Sequence, residues 1–234
     1  MKTLLSIIVP VFNEKKTIEK IINQILKVKY INKQIIIVDD FSTDGTRNIL
    51  KYKIQKKVDK ILYHKKNLGK GAAIQTAQRY LTGVYTIIQD ADLEYNPKDY
   101  QKMIKKMRFE KLNILYGSRV LGKKRYSSKH FTSKLRIFFN HLLTEVTNFL
   151  YCQNLTDAHT CYKLFKTDFF KKIKLIENGF AFCPEITAKF SKLGYKIVEI
   201  PISYKGRTYK EGKKISYTDG IKALFVLIKY KIFN

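Results

Sequence analysis

The residues of this chain with the clearest chemical potential are acids at the ends of apolar runs. Asp90-Ala91-Asp92 follows directly on Val84–Gln89 (VYTIIQ), and Leu93 and Glu94 come next. Carboxylates two residues apart in a turn can aim at one point, and paired hard oxygen donors suit a divalent cation shared with a diphosphate. A D-x-D pattern alone is weak, because acids at loop starts are ordinarily solvated. Its position strengthens it: Asp39-Asp40 closes a second apolar run, Gln34–Val38, and Pro10-Val11-Phe12-Asn13-Glu14 closes a third, Leu4–Pro10. Each residue also has a plain alternative. Pro10 could simply end a strand, Asp39 and Asp40 could cap the following helix, and Arg119 could be one more solvated cation.

These acids need elements to bring them together. Leu4–Pro10 and Gln34–Val38 are short, nearly continuous and rich in Ile and Val, the pattern of strands buried on both faces of a parallel sheet. Between them Ile18, Ile21, Ile22, Ile25 and Leu26 recur at helical spacing, which completes a βαβ unit. The alternation continues with a helix opened by Ser42-Thr43-Asp44, a strand near Lys60–His64 and a helix from Gly69 to about Leu81. After the strand Val84–Gln89, a helix begins at Pro97 and a strand follows at Asn113–Gly117. The fold class is therefore α/β, a Rossmann-like, doubly wound, mostly parallel sheet that binds ligands beyond the carboxyl ends of its strands.

The texture changes after Ser118. Residues 119–136 hold seven Lys or Arg and no acid, and read as a basic loop. Leu135, Phe138, Phe139, Leu142, Leu143, Val146, Phe149 and Leu150 then follow the spacing of an amphipathic helix. A polar turn at Asn154–Thr160, an element around Cys161–Phe165, a helix Pro184–Leu193, a strand Lys196–Ile200 and a basic loop Tyr204–Lys214 precede an apolar C-terminal segment, Ile221–Phe233. No linker or repeat divides the chain, so one domain, 1–234, is expected. Residues 1–118 would form one half of it and 119–234 the other.

Composition narrows the class. The 234 residues carry 46 Lys plus Arg against 19 Asp plus Glu, a net charge of +27. With 45% hydrophobic and 13% aromatic residues, enough surface can be buried to exclude intrinsic disorder. No apolar run approaches the ~20 residues of a membrane-spanning helix, and the N-terminus lacks a secretory cleavage pattern. A cytoplasmic location, peripheral at the cytoplasmic face of a membrane, is expected. Cys152, Cys161 and Cys183 are odd in number and lack C-x-x-C spacing, so they read as ordinary thiols. Gly69-Lys70-Gly71 lacks the spacing of a P-loop and reads as a helix start, and the four histidines show no paired spacing for a metal or a triad.

The stretches SIIVPVFNE (6–14), IIIVDDFSTDGT (35–46), KNLGKGAAIQTA (66–77), DADLEYNP (90–97), GSR (117–119), TDAHTCYKLF (156–165) and GRTYKEGKKI (206–215) together resemble the inverting family 2 glycosyltransferases of the GT-A fold. Within them they resemble the dolichyl- or polyprenyl-phosphate mannosyltransferase-like branch, over nearly the full chain. The resemblance implies that Pro10, Phe12 and Glu14 cradle the nucleotide base and ribose, with Val38 and Asp40 as partners. It implies that Asp90, Ala91 and Asp92 form the D-A-D motif, and that Asp90, Asp92 and Glu94 hold Mg²⁺ or Mn²⁺ against the diphosphate. It places Arg119, Arg207 and Lys213 at the phosphates and Asp157 at the acceptor. Phe12 stands where Tyr is common, Glu94 where some members have Gln, and Lys213-Lys214 replaces a Ser-Lys pair.

The expected reaction moves mannose from GDP-mannose to a dolichyl or polyprenyl phosphate with inversion. Asp92, Arg207, Lys213 and Asp157 are its expected catalytic residues. A UDP-glucose donor, or a cell-surface glycan as acceptor, is the alternative within the family. A nucleic-acid-binding module would explain the charge but not acids at three strand ends, so no nucleic acid is expected. The basic loops and amphipathic helices fit contact with a membrane or an integral partner, although a core-packing helix would show the same stripe.

Overall fold

A computed structural model describes residues 4–122, 131–207 and 217–233, with the side chains of residues 131–136 and 217 outside that description. Strand β1 (Leu5–Val11) is buried at every position. Helix α1 (Ile18–Lys27) lays Ile18, Ile21, Ile22 and Ile25 against it and leads to β2 (Lys33–Asp39). The helix expected after Ser42 starts at α2 (Thr46–Ile49), where Asp44 Oδ1 accepts the Thr46 N–H at 3.0 Å. It then widens into a π-helical turn at Leu50–Ile54 before β3 (Lys60–Tyr63). Next come α3 (Lys70–Gln78), β4 (Tyr85–Ile88), α4 (Asp99–Phe109) and β5 (Ile114–Ser118).

The second half contributes α5 (Phe131–Tyr151), β6 (Lys163–Lys166), α6 (Thr167–Lys172), α7 (Phe182–Lys192), β7 (Val198–Pro201) and α8 (Tyr217–Ile232). Helix α5 begins inside the stretch expected as a basic loop, so residues 131–136 are helical, whereas 123–130 lie outside the described residues. The seven strands run in the order β3-β2-β1-β4-β6-β5-β7. All neighbours are parallel except at β6, which is antiparallel to both β4 and β5. One strand from beyond residue 119 is thus inserted between two from the first half, and both halves share a single sheet. One core cluster packs α1 and α4 onto one face, and another packs α3, α6 and α7 onto the other.

The site is prepared where β1 parts from β4. Their ladder ends at Ile8↔Ile88, while β1 stays paired with β2 as far as Val11↔Asp39. Pro10 therefore lies inside β1, opposite Val38, and does not end it. The Ile8 carbonyl accepts the Gln89 N–H on the β4 side, and backbone groups two residues on point the same way. The N–H that proline lacks would thus face the open crevice, where no ladder bond is lost. Chain order reverses at this gap, since β2 and β3 lie to one side and β4 to the other. That is the switch point at which open α/β sheets bind ligands.

Candidate active site

Three loops reach the crevice, and each holds a non-glycine residue in the left-handed region: Asn13 (φ 51°), Phe41 (φ 65°) and Leu93 (φ 66°). Such conformations cost of order 1–3 kcal/mol each, so they persist where the surroundings impose them. Leu93 separates Asp92 from Glu94, and both of those carboxylates reach Arg207. Asp92 Oδ2 accepts from Arg207 Nη2 at 3.1 Å, and Glu94 Oε1 accepts the Arg207 backbone N–H at 2.7 Å. Glu14 faces the same guanidinium with both oxygens at 3.2 Å and takes a hydrogen bond from Thr17 Oγ1 at 2.6 Å. Tyr204 donates its hydroxyl to Glu94 Oε2 at 2.7 Å.

This arrangement leaves strong electrostatic stress on one group. Burial, followed by the charges of Asp90 and Glu94, pushes the Asp92 carboxyl up to about 7 despite Arg207. Asp90 points elsewhere. It pairs with Lys70 at the start of α3, whose ammonium also lies 3.1 Å from Cys161 Sγ. Burial works against that ammonium, yet Asp90 and Cys161 hold its pKa above the usual lysine value. Among the described residues, then, no three Asp, Glu, His or Cys side chains gather as a metal-binding group. The structure joins Asp92 and Glu94 of the expected trio around Arg207 and draws Asp90 to Lys70.

At the end of β2 the two aspartates divide their tasks. Asp39 accepts from Arg47 Nε at 2.6 Å and from the Ser42 N–H at 3.2 Å, while its Oδ1 is buried without a hydrogen-bond partner. Asp40 caps a helix, though not the one that follows it in sequence. Its carboxylate accepts the Leu68 and Gly69 N–H groups at 2.8 and 2.7 Å, at the start of α3, and meets His64 Nδ1 at 2.7 Å. Val38 is fully buried, Ala91 nearly so, and Phe12 is half-buried beside the crevice.

A second buried cluster is built on Asp157, the residue expected at the acceptor. Arg119 binds it through Nε and Nη2, each at 2.7 Å, and through its own backbone N–H at 3.0 Å, and its guanidinium lies 5.2 Å from the Tyr204 ring centroid. Burial raises the Asp157 carboxyl, but Arg119 outweighs it and holds the group below the usual carboxylate range. Glu199 fixes the turn from below, accepting the Thr156 and Asp157 N–H groups at 2.7 and 2.9 Å. Lys163, wholly buried, donates to the Ala158 carbonyl at 2.8 Å and stands 3.6 Å from the Tyr116 ring centroid. Lys213 and Lys214 lie outside the described residues.

Lys70, His64, Tyr204 and Glu199 are the site residues that sequence reasoning passed over. The only local hint was Tyr204, three residues before Arg207; the others act across 20 to 43 residues of chain, with no pattern to announce them.

Comparison with known proteins bears on the geometry. Residues 6–174 match the model of Glycosyl transferase family 2. The chain is 30% identical over 233 residues to an uncharacterised protein of Methanocaldococcus jannaschii, covering 97% of this chain and 92% of that one. It is 28% identical over 244 residues to a dolichyl-phosphate beta-glucosyltransferase of Trichomonas vaginalis, covering 98% of this chain and 73% of the relative. Among solved structures, glucosyl-3-phosphoglycerate synthase from Mycobacterium tuberculosis, in complex with Mn²⁺, UDP and glucosyl-3-phosphoglycerate, superposes with a TM-score of 0.71 at 16% identity, over 100% of this chain and 81% of that one. TarS of S. aureus, in complex with UDP-GlcNAc, gives 0.62 at 17% identity, over 99% and 67%. These likenesses establish the GT-A fold. With the family model matched from the first strand to beyond β6, the chain belongs to glycosyl transferase family 2.

Proposed function

We propose that this chain transfers a hexose from a nucleotide-diphosphate sugar to a dolichyl or polyprenyl phosphate, with inversion at the anomeric carbon and with Mg²⁺ or Mn²⁺ as cofactor. The observation that carries the reading is the gathering of Glu14, Asp92 and Glu94 around one guanidinium, Arg207, at the crevice between β1 and β4. Such a set fits a divalent cation chemically: every donor is a hard carboxylate oxygen, and the stressed Asp92 calls for positive charge. Asp92 and Glu94 would hold the ion, with Asp90 joining them on giving up its pairing with Lys70. When bound it supplies Lewis-acid neutralisation of the departing diphosphate.

The remaining work falls to the chain's own groups. An acceptor phosphate oxygen attacks the anomeric carbon, the bond from that carbon to the diphosphate oxygen breaks, and the nucleoside diphosphate leaves with the electron pair. A phosphate monoester has its second pKa near ~6, so it is largely ionised at neutral pH and needs no strong base. That agrees with Asp157, whose two oxygens are both engaged by Arg119. In this reading Asp157 is a positioning residue. It orients Arg119 so that Nη1, which has no hydrogen-bond partner among the described residues, can meet the acceptor phosphate, while Arg207 and Lys213 face the leaving diphosphate.

The donor is where the expectations of mannose and glucose divide. A 28% identical relative is named for glucosyl transfer to dolichyl phosphate, which favours UDP-glucose, and GDP-mannose is tested beside it. The test supplies each radiolabelled donor with Mn²⁺ and either a short polyprenyl phosphate or a soluble oligosaccharide. Label entering the organic phase only when the lipid phosphate is present supports the proposal. Label entering the oligosaccharide instead would sink the acceptor assignment while leaving the nucleotide-sugar reading intact.

A further inference from the structure

Helix α8 is apolar on two sides. One stripe, Ala223, Val226, Leu227 and Tyr230, is buried against α5 and α7. The second points away from the protein: Ile221, Phe225, Ile228 and Ile232 recur at i, i+4, i+7 and i+11 and are 71%, 67%, 43% and 67% exposed. A helix apolar all round normally has both sides covered. The neighbouring α5 repeats the excess, since Phe138 and Leu142 stand half-exposed although Thr144, Thr147 and Tyr151 of the same helix are buried.

Charge indicates what covers this face. At 100° per residue, Lys222 borders one edge of the exposed α8 stripe and Lys231 the other, while Lys229, on the Lys222 edge, pairs with Glu177 Oε1 at 2.9 Å. The helix has a single acid, Asp219, in its first turn. Lysines flanking an outward apolar stripe can rest their stems on hydrocarbon and their ammonium groups among anionic headgroups. A second copy of the chain would set like-charged edges against one another, which disfavours self-association. We infer that the outward face of α8, extended by α5, docks on an anionic lipid surface.

The position of α5 links this face to the site. Asn148 of α5 exchanges hydrogen bonds with the Leu155 backbone at 2.9 and 2.8 Å, and Thr144 Oγ1 accepts the Ala158 N–H at 3.3 Å. The lipid-facing helix thereby braces the turn that carries Asp157. A lipid phosphate acceptor would reach the site from the surface on which the protein rests. For its purpose the inference rests on the lipid-phosphate acceptor proposed above, but its test involves no sugar transfer.

The chain contains no tryptophan, so Phe225→Trp installs a single indole that can be excited to the red of the tyrosine absorption band. Its emission should shift to the blue on adding vesicles that contain phosphatidylglycerol and be quenched by lipids brominated in their acyl chains. Neutral phosphatidylcholine vesicles should act more weakly. In the otherwise native protein, Ile221→Ser with Ile228→Ser should weaken vesicle partitioning by at least about tenfold, with an unchanged melting temperature. An emission spectrum indifferent to every vesicle overturns the inference. So does a dimer in light scattering that the same double substitution abolishes. Vesicle binding with no sugar transfer from any donor would remove the proposed reaction and leave the docking face standing.

Discussion

At the scale of single residues, the site is a set of mutual neutralisations. Asp157 and Arg119 are both largely buried and bound through two parallel hydrogen bonds, so removing one partner strands a charge. Asp157→Ala should destabilise the protein by about 3–5 kcal/mol, with Arg119→Met in the same chain restoring most of it, as urea denaturation would reveal. His159 gives a pH signature. Burial, reinforced by Lys163 and Arg119, pushes its imidazole down to about 4 from the ordinary 6.5. The folded state thus binds fewer protons than the unfolded chain in that window, so the stability linked to His159 is present above pH 6.5 and is lost as pH falls through 4. His159→Gln should flatten the acid limb of the stability profile, and an unchanged limb would refute the assignment. In the sequence, the acids and Arg207 were legible as residues of interest because each ends an apolar run or joins a motif. Their partners were not. Periodicity records which face is buried, but not which cation, as many as 193 positions away, will neutralise a given carboxylate.

Elements were easier to read than contacts. The strands at Leu5–Val11, Lys33–Asp39 and Tyr85–Ile88 declare themselves because all three have sheet neighbours on both sides and are covered on both faces where their apolar runs fall. Strand β6 was only an unassigned element around Cys161–Phe165, and its insertion antiparallel between β4 and β5 depends on pairings far apart in sequence. The π-helical turn at Leu50–Ile54 has no periodic signature. Gly69-Lys70-Gly71 does begin a helix, and the structure supplies the reason for its last glycine: a Cβ on Gly71 would come 2.0 Å from the Glu177 carbonyl oxygen. Gly71→Ala should therefore cost about 1–3 kcal/mol. Gly220, in α8 with nothing within 4 Å of its would-be Cβ, is the control. Gly220→Ala should gain about 0.5–1 kcal/mol from helix propensity, and thermal melts of the two variants should move in opposite directions.

At the scale of the whole molecule, a sheet parallel at all but one strand opens a crevice between β1 and β4, and a charge of +27 surrounds it. No helix among the described residues is long and apolar enough to cross a membrane. Ligand binding at the crevice should register as global stability: Mn²⁺ with UDP or GDP, supplied near 100 times the dissociation constant, should add about 2.7 kcal/mol, or roughly 5–10 °C in melting temperature. Asp92→Asn should remove most of that increment, and a full shift in the variant would place the ion elsewhere. The central claim, inverting transfer to a lipid phosphate, is tested most directly on the product itself. Purified protein is incubated with α-linked UDP-glucose or GDP-mannose, Mn²⁺ and a polyprenyl phosphate, and the anomeric configuration of the isolated glycolipid is read by NMR alongside the nucleotide released. A β-linked glycosyl phosphate, formed one for one with nucleoside diphosphate from one of the two donors, is expected. An α-linked product, or free sugar in place of glycolipid, would contradict that claim.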